Sequence, residues 1–268
     1  MIGQGLYLYC LTPPSGVEGL GEAQFPTLLG PVRGEVLDGI GAVLSPVTEL
    51  AEWVDDNRFA STDWVTPRAL HHGWVIEQVW RRSAVYPARF GTLFTSRDSL
   101  EQLIRYHKPD LEDFFTTITG MEEWGIKVFF DPARAEEQWT AEQRRKEAAM
   151  LETLPPGRRY LVEQRLRQEC REGVALRMET LCRQLAEQLT LQGRGFRERS
   201  LPPVADSGHR PLGHWAILWP AQQTTVLEAL LKNAAVAWQP EGIQLQWSGP
   251  WPPYSFRPVL ETSAGVKS

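Results

Sequence analysis

The stretch Glu123-Trp124-Gly125-Ile126-Lys127-Val128-Phe129-Phe130-Asp131 reads as a strand that stops at Asp131-Pro132, and it opens a second structural unit. A charged helical stretch follows to about Thr153, interrupted by Pro155-Pro156-Gly157. Beyond it Val162, Leu166, Cys170, Val174, Met178, Leu181, Leu185 and Leu189 recur every three or four residues, the spacing of one helix face. Glu163/Arg167 and Glu179/Arg183 are expected as i,i+4 pairs on its wet side. At ~1.5 Å per residue, a helix from Tyr160 to Leu191 reaches about 48 Å, long for a compact domain, so it either projects or supports an extension. The arginine-, proline- and glycine-bearing residues from Gly193 to Gly213 read as a surface loop. Strand character returns over His214–Trp219, a helix is expected from about Gln222 to Ala237, and a strand from Ile243 to Trp247. Strand, helix, strand, helix, strand is compatible with a ferredoxin-like sandwich without requiring one.

Upstream, Leu6 to Leu11 reads as a short strand broken by Thr12-Pro13-Pro14-Ser15-Gly16. A second strand runs through Ile40-Gly41-Ala42-Val43-Leu44 and is expected to stop at Ser45-Pro46. Pro67 to Arg82 has helical spacing, with Leu70, Trp74, Val75, Val79 and Trp80 on one face and Pro67 in the first turn. A helix starts at Ser96, with Leu100, Leu103 and Ile104 together. The fold class is therefore α+β in two domains. Residues 1–115 form a mixed α/β domain, and residues 116–268 form the second, with a helical extension over about 133–192.

Composition bounds the function. The chain has 268 residues, 42% hydrophobic and 23% charged, an ordinary soluble balance. No apolar run approaches the ~20 residues that span a bilayer, so no membrane partner is expected. The opening residues lack a basic n-region and a cleavage site, which points to the cytoplasm. Cys10, Cys170 and Cys182 show no C-x-x-C spacing, and Cys170 and Cys182 lie ~18 Å apart along one helix, beyond disulfide reach. A net charge of −5 supplies no basic field for nucleic acid.

Motifs for catalysis are missing as well. His71-His72 with Glu77 is the nearest approach to a metal set, but adjacent helical histidines point about 100° apart, so the pair reads as a solvated face with one histidine half-buried. Ser207-Gly208-His209 sits among turn residues, and no G-x-S-x-G elbow or phosphate-binding loop is present. Gly3-Gln4-Gly5 precedes a strand, whereas a dinucleotide fingerprint follows one. No catalytic residue, metal or cofactor is assigned. Eleven tryptophans stand out, several at strand ends or beside proline, where rigid rings either fill a core or anchor a partner.

Three stretches stand together: Leu6-Tyr7-Leu8-Tyr9 with Gly39–Pro46, then Val85-Tyr86-Pro87-Ala88-Arg89-Phe90-Gly91-Thr92-Leu93-Phe94 followed by Trp124-Gly125-Ile126-Lys127-Val128, and finally Gly249-Pro250-Trp251-Pro252-Pro253-Tyr254-Ser255-Phe256. They resemble the GvpF/GvpL family of gas vesicle proteins, occur in that family's order and span the chain to Phe256. The resemblance implies a modified ferredoxin-like second domain with an extension, and a non-enzymatic, vesicle-associated role. In that role the protein is a minor vesicle component that binds the shell protein GvpA and prevents its aggregation during nucleation, beside other Gvp accessory proteins. Arg89, Phe90, Phe94, Trp251, Tyr254 and Phe256 are the candidate partner-binding residues. For Arg89–Phe94 a turn with two core phenylalanines is the competing reading. For the terminal run, Pro250, Pro252 and Pro253 are expected to end strand pairing, leaving Trp251, Tyr254 and Phe256 to bury against this chain or a partner. The alternative function is a small-ligand-binding or enzymatic ferredoxin-like protein, which would need a pocket with convergent polar groups.

Overall fold

A computed structural model describes residues 5–20, 28, 30–48, 53, 61–203 and 208–260. Gly3, Gln4 and Ser207 lie outside the described residues. The chain forms two compact units. One holds the described residues up to Glu122 together with those from Trp251 onward, and the other is Glu123–Pro250. The division expected at 115/116, with everything after it in one domain, thus differs at both ends. The helix before it runs on to Ile118, and the tail is tied back to the first unit by its own side chains.

In the first unit, β1 (Gly5–Thr12) lies between β3 (Ile40–Val47) and two short strands, β4 (Tyr86–Pro87) and β5 (Leu93–Phe94), all antiparallel to it. β2 (Arg33–Leu37) pairs with β3 at the outer edge. The Asp38-Gly39 turn between them has φ of 49° and 84°, the two left-handed positions that a two-residue hairpin of the sheet's twist requires. β3 continues past Ser45-Pro46, where a stop was expected. Beyond Leu44 it is paired on one flank only among the described residues, and there a missing N–H is tolerated. Tyr9 is the extra residue of a bulge, since Leu8 faces Leu44 while Cys10 faces Val43.

Helix α1 (Thr62–Trp80) begins a turn and a half before Pro67, which therefore sits inside it. Its buried face is His71, His72, Val75, Ile76 and Val79, packed with Tyr7, Tyr9 and Val43. Leu70, expected on that face, is 70% exposed. Helix α2 (Arg97–Ile118) starts where Ser96 Oγ accepts the Ser99 N–H, and it buries Leu100, Ile104, Leu111 and Phe115.

The second unit runs β6 (Met121–Phe130), α3 (Pro132–Lys146), α4 (Ala148–Thr153), α5 (Pro156–Gln192), β7 (Gly195–Glu198), β8 (Arg210–Pro220), α6 (Thr224–Trp238) and β9 (Ile243–Trp251). The strands lie in the order β7-β8-β6-β9. The succession of elements is β-α-β-β-α-β with a helical insertion, the ferredoxin-like plan. Asp131 ends β6 and caps α3, its Oδ1 accepting from Ala133 and Arg134 N–H at 3.0 and 3.2 Å. The expected loop over 193–213 contains β7, which pairs with β8. β9 continues through Pro250 to Trp251 because it is an edge strand, with no outer neighbour among the described residues to need that N–H.

α5 is 37 residues long, about 55 Å. Its buried residues Leu166, Cys170, Val174, Met178, Cys182, Leu185 and Leu189 keep the helical spacing, and those from Val174 onward enter the sheet core. Its first half pairs with α3, joined by Arg171–Glu136 and Arg144–Glu163 contacts at 3.2 and 2.9 Å. Glu163 is therefore bonded to Arg144 and also meets Arg159 at 3.7 Å, instead of the expected Arg167. Arg183 meets Glu187 rather than Glu179.

Candidate functional site

Two tyrosines on β1 set the geometry. Their rings belong to the core, but each hydroxyl needs a partner there. Tyr7 and Tyr9 find His72 and His71 on α1. His72 Nε2–H donates to Ala88 O at 3.2 Å, because a carbonyl can only accept. Its Nδ1 then accepts Tyr7 O–H at 2.8 Å, while Gly91 N–H donates to the same oxygen at 3.3 Å. One histidine and one tyrosine thus pin the Ala88–Gly91 turn to the helix and the sheet. Beside them Ser45 Oγ donates to Pro31 O at 3.2 Å, so Tyr9 O–H donates to Ser45 at 3.1 Å and His71 Nε2–H donates to Tyr9 at 3.2 Å.

Both histidines are buried, not one half-buried on a wet face. Burial pushes His72 down to about 4; the Ala88 bond opposes this, and His71 and Arg257 add to it. His71 is lowered by burial too. Burial raises Tyr7 well above its usual range and Tyr9 to about 12. At neutral pH the cluster is uncharged throughout. Among the described residues no three His, Cys, Asp or Glu side chains come together as a metal set, and no helix is long and apolar enough to cross a membrane.

The C-terminal tail docks beside this network. Arg257 Nη1 donates to Pro87 O at 2.7 Å, and Tyr86 O–H donates to Pro258 O at 3.2 Å. The stretch Val85–Phe94 is therefore bonded to the tail just beyond Phe256, at Arg257 and Pro258. Between the tail and α1 lies a groove of about 620 Å³, with Leu70, His71, Trp74 and Glu77 on the helix and Trp251 and Tyr254 on the tail. Its walls are almost wholly apolar, and its one carboxylate, Glu77, already bonds Arg81 at 2.7 Å.

The candidate residues separate here. Trp251, 47% exposed, and Tyr254, half-buried, line the groove. Arg89 is exposed on the pinned turn, and Phe256 is half-buried in the tail's turn. Phe94, 2% exposed opposite Leu6, belongs to the core, and its expected contact with a partner is corrected accordingly. Phe90 leans inward on Trp53 and His72, each with ring centroids 5.8 Å away. Leu70 and Trp74 were missed as site residues. Their signal was the tyrosine pair on β1, whose buried hydroxyls demand His71 and His72 on the inner face and so turn Leu70 outward and leave Trp74 half-buried beside His71.

The family model of the gas vesicle synthesis protein GvpL/GvpF matches residues 5–258. Gas vesicle protein L2 of Halobacterium salinarum is 26% identical, with 97% of this chain and 94% of the relative covered. Gas vesicle protein L of a Streptomyces species is also 26% identical, over 95% and 93%. Crystal structures of the gas vesicle protein GvpF from Anabaena and from Microcystis aeruginosa superpose with TM-scores of 0.67 and 0.62, at 18% and 22% identity. They cover 96% and 95% of this chain and 99% of each of theirs, so the α+β fold is shared along the whole length. With its motifs, its fold and a match from residue 5 to residue 258 in agreement, the chain belongs to the GvpL/GvpF family of gas vesicle synthesis proteins.

Proposed function

We propose that this protein is a non-enzymatic assembly factor that holds the shell protein GvpA at the groove between α1 and the tail, and so keeps it from aggregating while vesicles nucleate. The observation that carries this is the groove itself: apolar, open, and walled by exposed Leu70 and Trp251. A shell subunit with a water-repelling face needs that face covered reversibly until it meets other subunits. Large rings at the rim suit the task, because they bury much area with little rotamer entropy lost. The groove offers no convergent polar groups for a small substrate, which favours a protein partner over a ligand-binding or catalytic reading. Other Gvp accessory proteins are the further partners of this reading.

The test is co-expression of GvpA with this chain, reading soluble GvpA and its capture on the tagged protein. The expected result is soluble, captured GvpA, with capture reduced about tenfold or more by Trp251→Ala, the size of an interface hot spot. The reading fails if GvpA is equally soluble without the protein and ignores it.

A further inference from the structure

We propose that Arg89 and Arg257 form a carboxylate-binding site at the edge of this groove, taking an acidic side chain of the apolar segment seated there. The inference deepens the proposed function and rests on it. It names the chemistry by which the partner is recognised: an apolar segment carrying an acidic residue.

Arg257 follows the groove residue Tyr254 by three positions. Its guanidinium is fixed where Nη1 meets Pro87 O at 2.7 Å, 5.9 Å above the Tyr86 ring. Pro87 is two residues before Arg89, whose charge is near enough to act on Arg257. In the same unit Arg81, Arg97 and Arg105 each find a carboxylate, at 2.7, 3.2 and 3.4 Å. Among the described residues, neither Arg89 nor Arg257 meets one. Arg257 is half-buried, and its pKa is lowered first by that burial, with Arg89 adding repulsion and Tyr86 and Tyr254 opposing it.

A half-buried cation beside a second cation, with no counter-ion among the described residues, costs folding free energy. An incoming carboxylate would relieve that cost. Arg257 spends one of its five N–H groups on Pro87 O, and those left over form the fork that carboxylates accept in pairs. The chain as a whole carries −5, so a basic edge here would steer an acidic partner to this groove rather than to the rest of the surface.

The probe is purified full-length protein binding GvpA from the co-expression above, with Arg89→Gln, Arg89→Lys and Leu70→Asp compared at two salt concentrations. Arg89 is exposed, so both Arg89 variants should keep the wild-type melting temperature. The expected result is binding weakened about tenfold by Arg89→Gln and less by Arg89→Lys, which keeps the charge but loses the fork. Wild-type binding should also weaken several-fold between about 0.1 and 0.5 M salt, and the Arg89→Gln variant should lose less. If Arg89→Gln binds within about twofold of wild type with the same salt dependence, while Leu70→Asp does not bind, the carboxylate site is wrong and the groove stands. If Leu70→Asp binds normally but Arg89→Gln does not, the groove reading falls and the arginine site remains. Wild-type binding that ignores salt overturns the arginine site without recourse to any variant.

Discussion

His72 joins three segments through two bonds, and its neutrality is a condition of both. The sequence places it in a helix of mixed character, and the fold surrounds it with Tyr7, Tyr9, Phe90 and His71, where an imidazolium meets no carboxylate among the described residues. Its folded pKa of about 4 lies below the ordinary 6.5. Below pH 6.5 the unfolded chain takes up a proton that the folded chain refuses. The stability this linkage protects is complete above 6.5 and is lost as pH falls to about 4, on the order of 3 kcal/mol over that window. Denaturant unfolding of wild type and His72→Gln from pH 7 to 4 should show a steeper loss in wild type. Parallel curves would mean that the imidazole does not carry this part of the acid sensitivity.

At the scale of elements, the α3–α5 pair turns on one close approach. A Cβ at Gly173 of α5 would sit 2.7 Å from the end of the Trp139 ring on α3. In an exposed helix Gly→Ala gains about 1 kcal/mol from propensity. Here the methyl group would drive the helices apart, so Gly173→Ala should destabilise by about 1–2 kcal/mol, and Trp139→Ala should remove that penalty. A raised melting temperature for Gly173→Ala would show that the helices are not packed on this ring. The same elements show what a sequence discloses. α5 was legible because its apolar residues repeat over about seven turns with polar residues between them, and Asp131 was legible as a strand end because capping has a local signature. β7 was not: Gly195–Glu198 is four residues long, an edge strand with two charged side chains, and only its pairing with β8 makes it a strand. β2 carried a signal in its Asp-Gly turn, but Arg33 and Glu35 mask the alternation.

Across the whole molecule, the candidate groove was half legible. Trp251 and Tyr254 drew notice as large rings set among prolines, and both line the groove. The opposite wall was lost because His71 and His72 read as the wet side of α1, when Tyr7 and Tyr9, more than sixty residues away, draw them inside. Phe94 was misplaced for the converse reason: an isolated phenylalanine looks alike in a turn and in a two-residue strand. The division into units was obscured in the same way, since the residues that return the tail to the first unit, Arg257 and Tyr86, are far apart along the chain.

The central claim is that the shell protein is held at the α1–tail groove. A photo-crosslinking amino acid placed singly at Leu70 or at Leu176, which are 70% and 68% exposed, asks this directly because accessibility is matched and only location differs. Irradiation during co-expression should join GvpA to the protein labelled at Leu70, in the groove, and not to the protein labelled at Leu176, on α5. Crosslinking from Leu176 with none from Leu70 would contradict the account.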